Sequence, residues 1–355
     1  MIIGLNGSGF ISYHLNVYFK YKCTDIEVIQ LQRNLSADLH NLKKCDVIIH
    51  MAEKNRGDEN ELYNNNIQST TDLISALDSI QTQPLVIYTS SIHEDADNVY
   101  GKWRRNNKEQ FAKWAKNNNF ISIKLPNIYG PFCKPNYNSF IATLCDSLIQ
   151  DKKINVIDNP ISLLYVENLC KQIHEIILGH RFDVEFDVMS SMGIVTEMLT
   201  NFLSYIQTGK ITKFQREFEL NMFTTFRSYI MNPVFDVKHI EDNRGELKEL
   251  VISKEQGQIF YSTTKPNVTR GNHFHTKRIE RFCIVQGHAK IEMRKIGSNK
   301  IISYNIKDSD NKVIDMPPYY THNLTNIGND DLICVFWMND ILSEQSIDDT
   351  YFEVV

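Results

Sequence analysis

Short apolar runs rich in β-branched residues recur through the N-terminal part of the chain, and segments with helical periodicity separate them. The helical segments include residues 71–77 and 108–116, in which apolar residues stand three and four positions apart. Strands that alternate with helices predict an α/β fold with a parallel, doubly wound sheet of the Rossmann type. The apolar runs that we assign to strands are Ile2 to Leu5, Ile26 to Leu31, Asp46 to Met51, Leu85 to Thr89 and Ile121 to Leu125.

The pattern changes near Pro233, after which short strands and turns replace the helical segments. Such strands predict a small all-β barrel. A chain of 355 residues also exceeds the length at which a single hydrophobic core stops growing. We therefore predict two domains, and the family resemblance described below implies their bounds, residues 1–232 and residues 233–355. The predicted barrel strands are Gln258 to Ser262, Phe282 to Val285, Lys290 to Arg294, Ile301 to Ile306 and Leu332 to Trp337.

Three histidines and one glutamate in the predicted barrel form a candidate metal site. His273 and His275 are one residue apart, and side chains two positions apart on a strand point to the same face. Glu280 follows after four intervening residues, and His322 lies further on between strand-like runs. Three imidazoles and one carboxylate suit a borderline divalent metal and leave room for water or substrate.

The first predicted strand leads into a turn of small residues, Asn6-Gly7-Ser8-Gly9. A turn of this kind between a strand and a helix lets backbone amides approach a pyrophosphate at the positive end of the helix. After the second strand comes Arg33 rather than an acidic residue, and arginine can receive the extra phosphate of NADP. These residues favour NADPH, although an ordinary tight turn and a solvated arginine would give the same pattern.

Composition narrows the range of partners and compartments. The formal net charge is −5 and the basic residues are scattered, so we do not expect DNA or RNA as partners. Seven cysteines without a Cys-x-x-Cys pair fit small apolar residues in a reducing compartment, which favours the cytosol. We expect no signal peptide, because the N-terminus shows no basic segment followed by an apolar run and a small-residue cleavage site. We expect no contact with a membrane, because the chain has no apolar run of about 18 residues.

The N-terminal turn resembles that of the extended short-chain dehydrogenases, which read Gly-x-x-Gly-x-x-Gly. Here Gly9 holds the middle position, while Asn6 and Ser12 replace the outer glycines. Asparagine can still adopt a left-handed conformation, whereas Ser12 is expected to loosen the packing of helix against strand. The resemblance implies a cofactor site made of Asn6, Gly7, Gly9, Phe10, Ile11, Arg33, Ala52, Tyr100 and Arg104.

The same family has a catalytic serine and a Tyr-x-x-x-Lys motif, which Ser91 and Tyr100 resemble, with Arg104 in the lysine position. In this chemistry a phenol donates a proton to a ketone oxygen as hydride arrives, and a nearby cation favours the phenolate afterwards. Arginine and lysine differ in shape and hydration, so the substitution leaves the activity of this half open.

The C-terminal part resembles the cupin family. His-x-His, four residues, Glu, six residues and Gly, from His273 to Gly287, match the first cupin motif, and Pro317 to His322 with Asn326 match the second. Tyr319 stands where the second motif usually has glycine, which raises the question of how that turn is formed. The resemblance and the ligand types favour zinc. Cupins commonly pair through strands, so the resemblance also implies a homodimer.

Residues 125–143 extend the resemblance to one particular family. Pro126 to Gly130 resembles the segment that lines the sugar-nucleotide site in extended dehydrogenases, and Cys133 to Thr143 resembles the CapF-type enzymes of capsule and O-antigen synthesis. These bifunctional enzymes join a reductase domain to a metal cupin. Other matching stretches are Asp46 to Asn55, Tyr165 to Glu167, Asp242 to Gly245, Lys265 to Glu280, Tyr320 to Asn323 and Thr350 to Val354.

The CapF-type resemblance implies two reactions on a UDP-2-acetamido-2,6-dideoxy-4-hexulose. In the cupin, the metal would stabilise the enolate that forms while C3 inverts, with Tyr320 and Lys277 as candidate proton carriers. In the reductase, NADPH would reduce the 4-ketone, with Tyr100 as acid and Ser91 as hydrogen-bond partner. The residues expected to bind the substrate are Asn127, Lys134, Asn138 and Arg270.

Two alternatives remain open on the sequence alone. The N-terminal domain can be a nucleotide-sugar binding module that no longer reduces, because the lysine and two glycines are missing. The cupin can instead be a structural or dimerisation module whose metal takes no part in catalysis.

Overall fold

The computed structural model describes residues 1–54, 56–116, 119–154, 157–207, 213–230, 234–236, 238–242, 245–249, 257–339 and 350–354. The chain divides into two compact units. The N-terminal unit contains Met1–Thr143 and Asp158–Met192, and the C-terminal unit contains Leu144–Ile157 and Gly193–Val355. The domain boundary predicted between residues 232 and 233 lies outside the described residues and stays a prediction.

A five-stranded parallel sheet forms the centre of the N-terminal unit, with strand order β2-β1-β3-β4-β5. The five apolar runs of the sequence all become strands of this sheet, so the predicted Rossmann-type architecture is confirmed. The strands are β1 (Ile2–Asn6), β2 (Glu27–Gln30), β3 (Val47–His50), β4 (Leu85–Ser91) and β5 (Phe120–Leu125).

The predicted helical segments also lie in helices. Residues 71–77 are part of α3, whereas the segment 108–116 ends two residues earlier than predicted, because Ala115 turns to an extended conformation with ψ of 140°. The helices are α1 (Phe10–Lys22), α2 (Leu39–Leu42), α3 (Glu59–Ser79), α4 (Val99–Trp114), α5 (Phe140–Ile149), α6 (Val166–Ile177), α7 (Met192–Gln207) and α8 (Glu217–Arg227). Of the helices in the described part of the chain, none is long and apolar enough to cross a membrane.

Side chains of the parallel sheet alternate between two hydrophobic cores. Ile3 of β1 packs in a core with residues of α1 and α6, while Ile48 of β3 packs in a second core with residues of α3 and α4. Helices therefore cover both faces of the sheet, as a buried parallel sheet requires. All seven cysteines are buried thiols, in agreement with their predicted role as small apolar residues.

A second, three-stranded sheet follows in the N-terminal unit. Its strands are β6 (Asn127–Tyr129), β7 (Pro160–Tyr165) and β8 (Val188–Ser191). β6 pairs with β7 in parallel and β7 with β8 in antiparallel orientation. The segment of the sequence that resembles a sugar-nucleotide site thus begins on an edge strand of this sheet.

Two five-stranded antiparallel sheets form the C-terminal barrel, with strand orders β12-β19-β14-β17-β9 and β16-β15-β18-β13-β20, and β10 pairs with β11. The inner faces of the two sheets share one hydrophobic core that includes Phe282, Ile291, Ile314 and Leu324. The predicted cupin barrel is confirmed. Its strands are β9 (Val234–Asp236), β10 (Lys238–Asp242), β11 (Gly245–Glu249), β12 (Gln258–Thr264), β13 (Thr269–Phe274), β14 (Glu280–Gln286), β15 (His288–Lys295), β16 (Ile301–Lys307), β17 (Lys312–Met316), β18 (Tyr320–Asn326), β19 (Leu332–Met338) and β20 (Thr350–Tyr351).

Tyr319, which replaces the usual cupin glycine, adopts the left-handed conformation with φ of 59°. Its buried backbone donates a hydrogen bond to the carbonyl of His275 at 2.8 Å and accepts one from Ile296 at 2.9 Å. Tyr319 therefore adopts the backbone conformation that glycine would have in this turn. For a residue with a side chain this conformation costs about 1–3 kcal/mol.

Asn326, the last residue of the second cupin motif, holds the turn between β18 and β19. Its fully buried amide donates to the carbonyls of Thr264 at 2.8 Å and Asp330 at 2.9 Å, and its oxygen accepts from the backbone of Gly328 at 2.9 Å. The Asn326 side chain is therefore a hydrogen-bond partner of three backbone groups, those of Thr264, Asp330 and Gly328.

We predict that Asn326→Ala lowers the free energy of unfolding of the barrel by about 3 kcal/mol, because buried backbone groups lose their partners. Denaturant unfolding measures this loss. Thr325→Ala is the matched control, since Thr325 is the preceding residue and its hydroxyl is 2.9 Å from that of exposed Thr269. Equal losses in the two variants would contradict the role of Asn326.

Candidate functional site

The structure brings the four predicted metal ligands together. The donor atoms of His273, His275, Glu280 and His322 all lie within 4.8 Å of one another. One oxygen of Glu280 is 2.9 Å from Nε2 of His275, 3.2 Å from Nε2 of His322 and 4.0 Å from Nε2 of His273. The cluster thus converges on one point.

A β-bulge in β13 aligns the histidines. Gly271 and Asn272 both have positive φ, 105° and 62°, and after this irregularity His273 pairs directly with His322 of β18. A Cβ atom on Gly271 would lie 2.9 Å from the carbonyl oxygen of His322, so the close approach of the two strands favours glycine. His275 lies one residue past the end of β13, yet its ring centroid is only 4.8 Å from that of His273.

The charge distribution of the cluster suits a divalent cation. Burial opposes ionisation of Glu280, but hydrogen bonds and charge interactions with His275 and His322 outweigh it and hold the pKa of Glu280 well below its usual range. Nδ1 of His322 donates to the carbonyl of Tyr320 at 3.2 Å, which directs Nε2 of the same ring to the Glu280 carboxylate. Three imidazoles and one carboxylate that converge in this way form a donor set that fits a metal ion.

The structure places the other predicted site residues of the barrel, Tyr320, Arg270 and Lys277, in different environments. Tyr320 is half-buried, and burial raises the pKa of its phenol. Arg270 is exposed and lies opposite Leu324 in β18, on the sheet face that carries His322. Lys277, by contrast, directs its ammonium to Glu217 of α8 at 2.7 Å.

The predicted nucleotide-binding turn lies at the carboxyl ends of β1 and β3. Gly7 has φ of 134°, and a Cβ atom there would lie 2.9 Å from the backbone of Met51 and 3.1 Å from the amide nitrogen of Ala52. Gly9 precedes α1, and the space around its Cβ position is open to 4 Å. An open helix N-terminus beside this edge of a parallel sheet suits the pyrophosphate of a dinucleotide.

The two residues that replace glycines have partners of their own. Asn6 stays in β1, and its amide nitrogen is 3.0 Å from Nδ1 of His50, whose pKa burial lowers to about 3. Ser12 is buried and donates to Gln30 at 3.0 Å, and the amide of Gln30 donates in turn to the carbonyl of Gly7 at 2.9 Å. Gln30 thus links helix, strand and turn through hydrogen bonds, while the expectation that Ser12 loosens the packing of helix against strand stays a prediction.

The remaining predicted cofactor residues flank this turn. Phe10 begins α1, and its ring contacts that of His14 at a centroid distance of 5.0 Å. Ile11 packs partly against the core under the sheet. Arg33 lies beyond the end of β2 and is exposed.

The predicted catalytic set lies at the end of β4 and the start of α4. Ser91 is buried and its hydroxyl oxygen accepts from the backbone of His93 at 3.1 Å. Tyr100 packs in the first turn of α4, with the guanidinium carbon of Arg104 4.5 Å from its ring centroid. Gly101 is required here, because a Cβ atom would lie 2.1 Å from the carbonyl oxygen of Ala96.

Glu53, which sequence reasoning missed, pairs with Arg104. Arg104 donates to the Glu53 carboxylate at 2.7 Å and to the carbonyl of Thr89 at 3.1 Å, and the two side chains are only 6% and 8% exposed. Burial raises the pKa of Glu53 to about 7, and Arg104 opposes this rise. A planar guanidinium can serve two acceptors at once, which an ammonium in the same place would do less well. The only signal in the sequence was an acidic residue just after a buried strand.

The predicted substrate residues of the N-terminal unit are exposed. Asn127 of β6 donates to the carbonyl of Ser162 at 3.2 Å. Lys134 lies 5.6 Å from the ring centroid of Tyr137, and Asn138 has a left-handed backbone with φ of 57°. Their side chains are accessible to a ligand.

Two family models match the chain. Residues 8–184 match the NAD dependent epimerase/dehydratase family, and residues 240–351 match the polysaccharide biosynthesis C-terminal domain. A UDP-2-acetamido-2,6-beta-L-arabino-hexul-4-ose reductase of Pseudomonas aeruginosa is 27% identical over 365 residues, which cover 99% of this chain and 97% of that protein.

Solved structures of other proteins are also similar to this chain. The capsular polysaccharide assembling protein CapF of Staphylococcus aureus matches with a TM-score of 0.62 and 26% identity, over 99% of this chain and all of that one. UDP-glucuronic acid 4-epimerase of Bacillus cereus in complex with NAD matches with a TM-score of 0.50 and 17% identity, over 57% of this chain and 83% of that one, which shows the fold alone. The resemblance to the CapF-type enzymes is thus confirmed over nearly the full length.

We predict that His322→Ala weakens binding of a divalent metal more than about 100-fold, since even the partners of metal ligands contribute about 10–100-fold. Metal analysis after dialysis against a weak chelator measures the retained ion. His288→Ala is the control, because His288 lies on neighbouring β15 but outside the cluster. Equal metal content in the two variants would argue against the site.

We also predict that Glu53→Ala destabilises the N-terminal unit by about 3–5 kcal/mol, because it leaves the buried charge of Arg104 without its partner. Chemical unfolding measures the change. Glu109→Ala removes an exposed ion pair with Lys113 on the same helix and should have little effect. The double variant Glu53→Leu/Arg104→Met should be more stable than Glu53→Ala. If Glu53→Ala and Glu109→Ala behave alike, the buried pair is not a structural requirement.

Proposed function

We propose, from the similarity of the whole chain to CapF-type enzymes, that this protein converts a UDP-linked 4-keto-6-deoxy acetamido sugar in two steps, C3 epimerisation and reduction of the 4-ketone. The observation that carries the proposal is the full-length match to a reductase named for such a sugar. Its product would serve the synthesis of surface polysaccharide, as the C-terminal family match supports.

The epimerisation is proposed for the barrel. His273, His275, Glu280 and His322 would hold a divalent ion, most simply zinc, which supplies positive charge beside the ketone. The hydrogen on C3 is acidic next to that ketone, so its removal and return on the other face invert the centre. Of the two proton carriers expected from the sequence, Lys277 is the less suitable, because it is paired with Glu217. Arg270 is exposed and lies on the sheet face that carries His322, so it can bind the diphosphate of the substrate.

The reduction is proposed for the N-terminal unit, with NADPH at the turn of Asn6 to Gly9. Tyr100 would donate the proton to the ketone oxygen, and Ser91 would hydrogen-bond to that oxygen. Arg104 supplies the positive charge beside Tyr100, although Glu53 balances part of it. Asn127, Lys134 and Asn138 are accessible and would contact the nucleotide sugar.

A second candidate function is epimerisation alone, with the N-terminal unit as a nucleotide-sugar binding module. The Glu53–Arg104 ion pair favours it, because the cation that should stabilise the Tyr100 phenolate is already bound to a carboxylate.

The proposal also includes a homodimer, from the CapF-type resemblance, and a reducing compartment, from seven buried thiols.

We predict that the protein incubated with the 4-keto sugar in D₂O exchanges the C3 hydrogen without NADPH, and that added NADPH is oxidised while the 4-ketone disappears. NMR of the products and absorbance of the reduced nicotinamide follow the two steps separately. Tyr100→Phe should abolish reduction and leave the exchange unchanged. Exchange without any oxidation of NADPH by the wild type would instead support the second candidate.

A further inference from the structure

Lys295, the last residue of β15, shares a sheet face with the metal-ligand histidines. In the antiparallel pairing of β15 with β18, Met293 lies opposite His322 and Lys295 lies opposite Tyr320. Residues directly opposite each other project from the same face, with Cβ atoms about 4.5–5.5 Å apart. Lys295 is therefore beside Tyr320, one side-chain repeat from His322.

Lys295 also lies at the same end of the barrel as the cluster. His275 comes just after the last residue of β13, Glu280 is the first residue of β14, and Tyr320 is the first residue of β18. Because β15 runs antiparallel to β18, the end of β15 meets the start of β18 at this rim. His275, Glu280, Lys295 and Tyr320 therefore all lie at one rim of the barrel.

Lys295 lies partly inside the barrel. Lys295 is half-buried, next to Met293 and Tyr320, which both pack on the apolar core. Burial lowers the pKa of Lys295 to about 8, so a useful fraction of its amine can accept a proton near neutral pH.

We propose that Lys295 is the base that removes the C3 hydrogen of the 4-keto sugar in the barrel, an inference that rests on the proposed epimerisation. The C3–H bond breaks and its proton binds Nζ of Lys295. Its electron pair forms the C3–C4 double bond as the carbonyl pair moves to the oxygen. The enolate then takes a proton from water on its opposite face, and the Lys295 ammonium returns its proton to water. Hydrogen and charge are balanced over the cycle.

Lys295→Met tests this role, with Lys290→Met as the matched control. Lys290 lies on the same strand, five residues away and therefore on the opposite face. Lys295→Met should slow exchange of the C3 hydrogen in D₂O at least about 100-fold, the usual contribution of a general base. Metal content and the Kd for the sugar nucleotide should stay within a few-fold of wild type. Lys290→Met should exchange at the wild-type rate.

A labelling experiment on the wild type gives a readout other than activity. Acetic anhydride modifies neutral amines, and mass spectrometry measures the extent at each lysine. The 4-keto sugar should protect Lys295 more than about tenfold and leave Lys290 unprotected. Protection stays measurable even if Lys295→Met fails to fold, and Lys295→Arg then supplies a second variant that keeps the positive charge but cannot act as the base.

The outcomes separate this inference from the proposed function. If the wild type exchanges C3 hydrogen and Lys295→Met or Lys295→Arg exchanges it equally fast, the role of Lys295 is wrong while epimerisation stands. Unchanged labelling of Lys295 with bound sugar would also overturn it. If the wild type itself does not exchange C3 hydrogen, the proposed epimerisation is what fails.

Discussion

The pairing of β13 with β18 across the bulge at Gly271 and Asn272 is the constraint on which the barrel site depends. Without the extra residue, His273 would not lie opposite His322, and the side chains of β13 would face the other way from that point on. The bulge needs two residues with positive φ in succession. Glycine and asparagine tolerate this conformation best, and they are the residues found there.

Once the histidines face one another, electrostatics completes the site. Glu280 is buried, and its interactions with His275 and His322 hold its pKa well below the usual range, so a carboxylate charge lies inside the barrel. Such a charge is costly in an apolar barrel unless a cation balances it. The same apolar environment lowers the pKa of Lys295. One property of the barrel, its low polarity, thus favours both a bound cation and a neutral amine near it.

In the N-terminal unit, each departure from the dehydrogenase pattern has acquired a polar partner. Asn6 is bonded to His50, Ser12 to Gln30 and Arg104 to Glu53. A buried polar group without a partner costs about 1–3 kcal/mol, and a buried charge costs more, so these pairs keep the fold stable. These pairs also affect function, because side chains that are bonded to other residues of the protein are less available to a cofactor or substrate.

The sequence by itself determined the class of both units, because the alternation of strands and helices is a local property. It also supplied the barrel cluster: His273, His275 and Glu280 through their local spacing, and His322 through the resemblance to the second cupin motif. It also placed Ser91 at the end of its strand and Tyr100 in the first turn of its helix. Only the tertiary structure decided which distant groups meet. Glu53 and Arg104 are far apart in the chain, as are Lys295 and Tyr320, and parallel crossovers and strand register bring each pair together. These contacts join residues that are distant in the chain, so they depend on how whole strands and helices pack and not on the residues around each position.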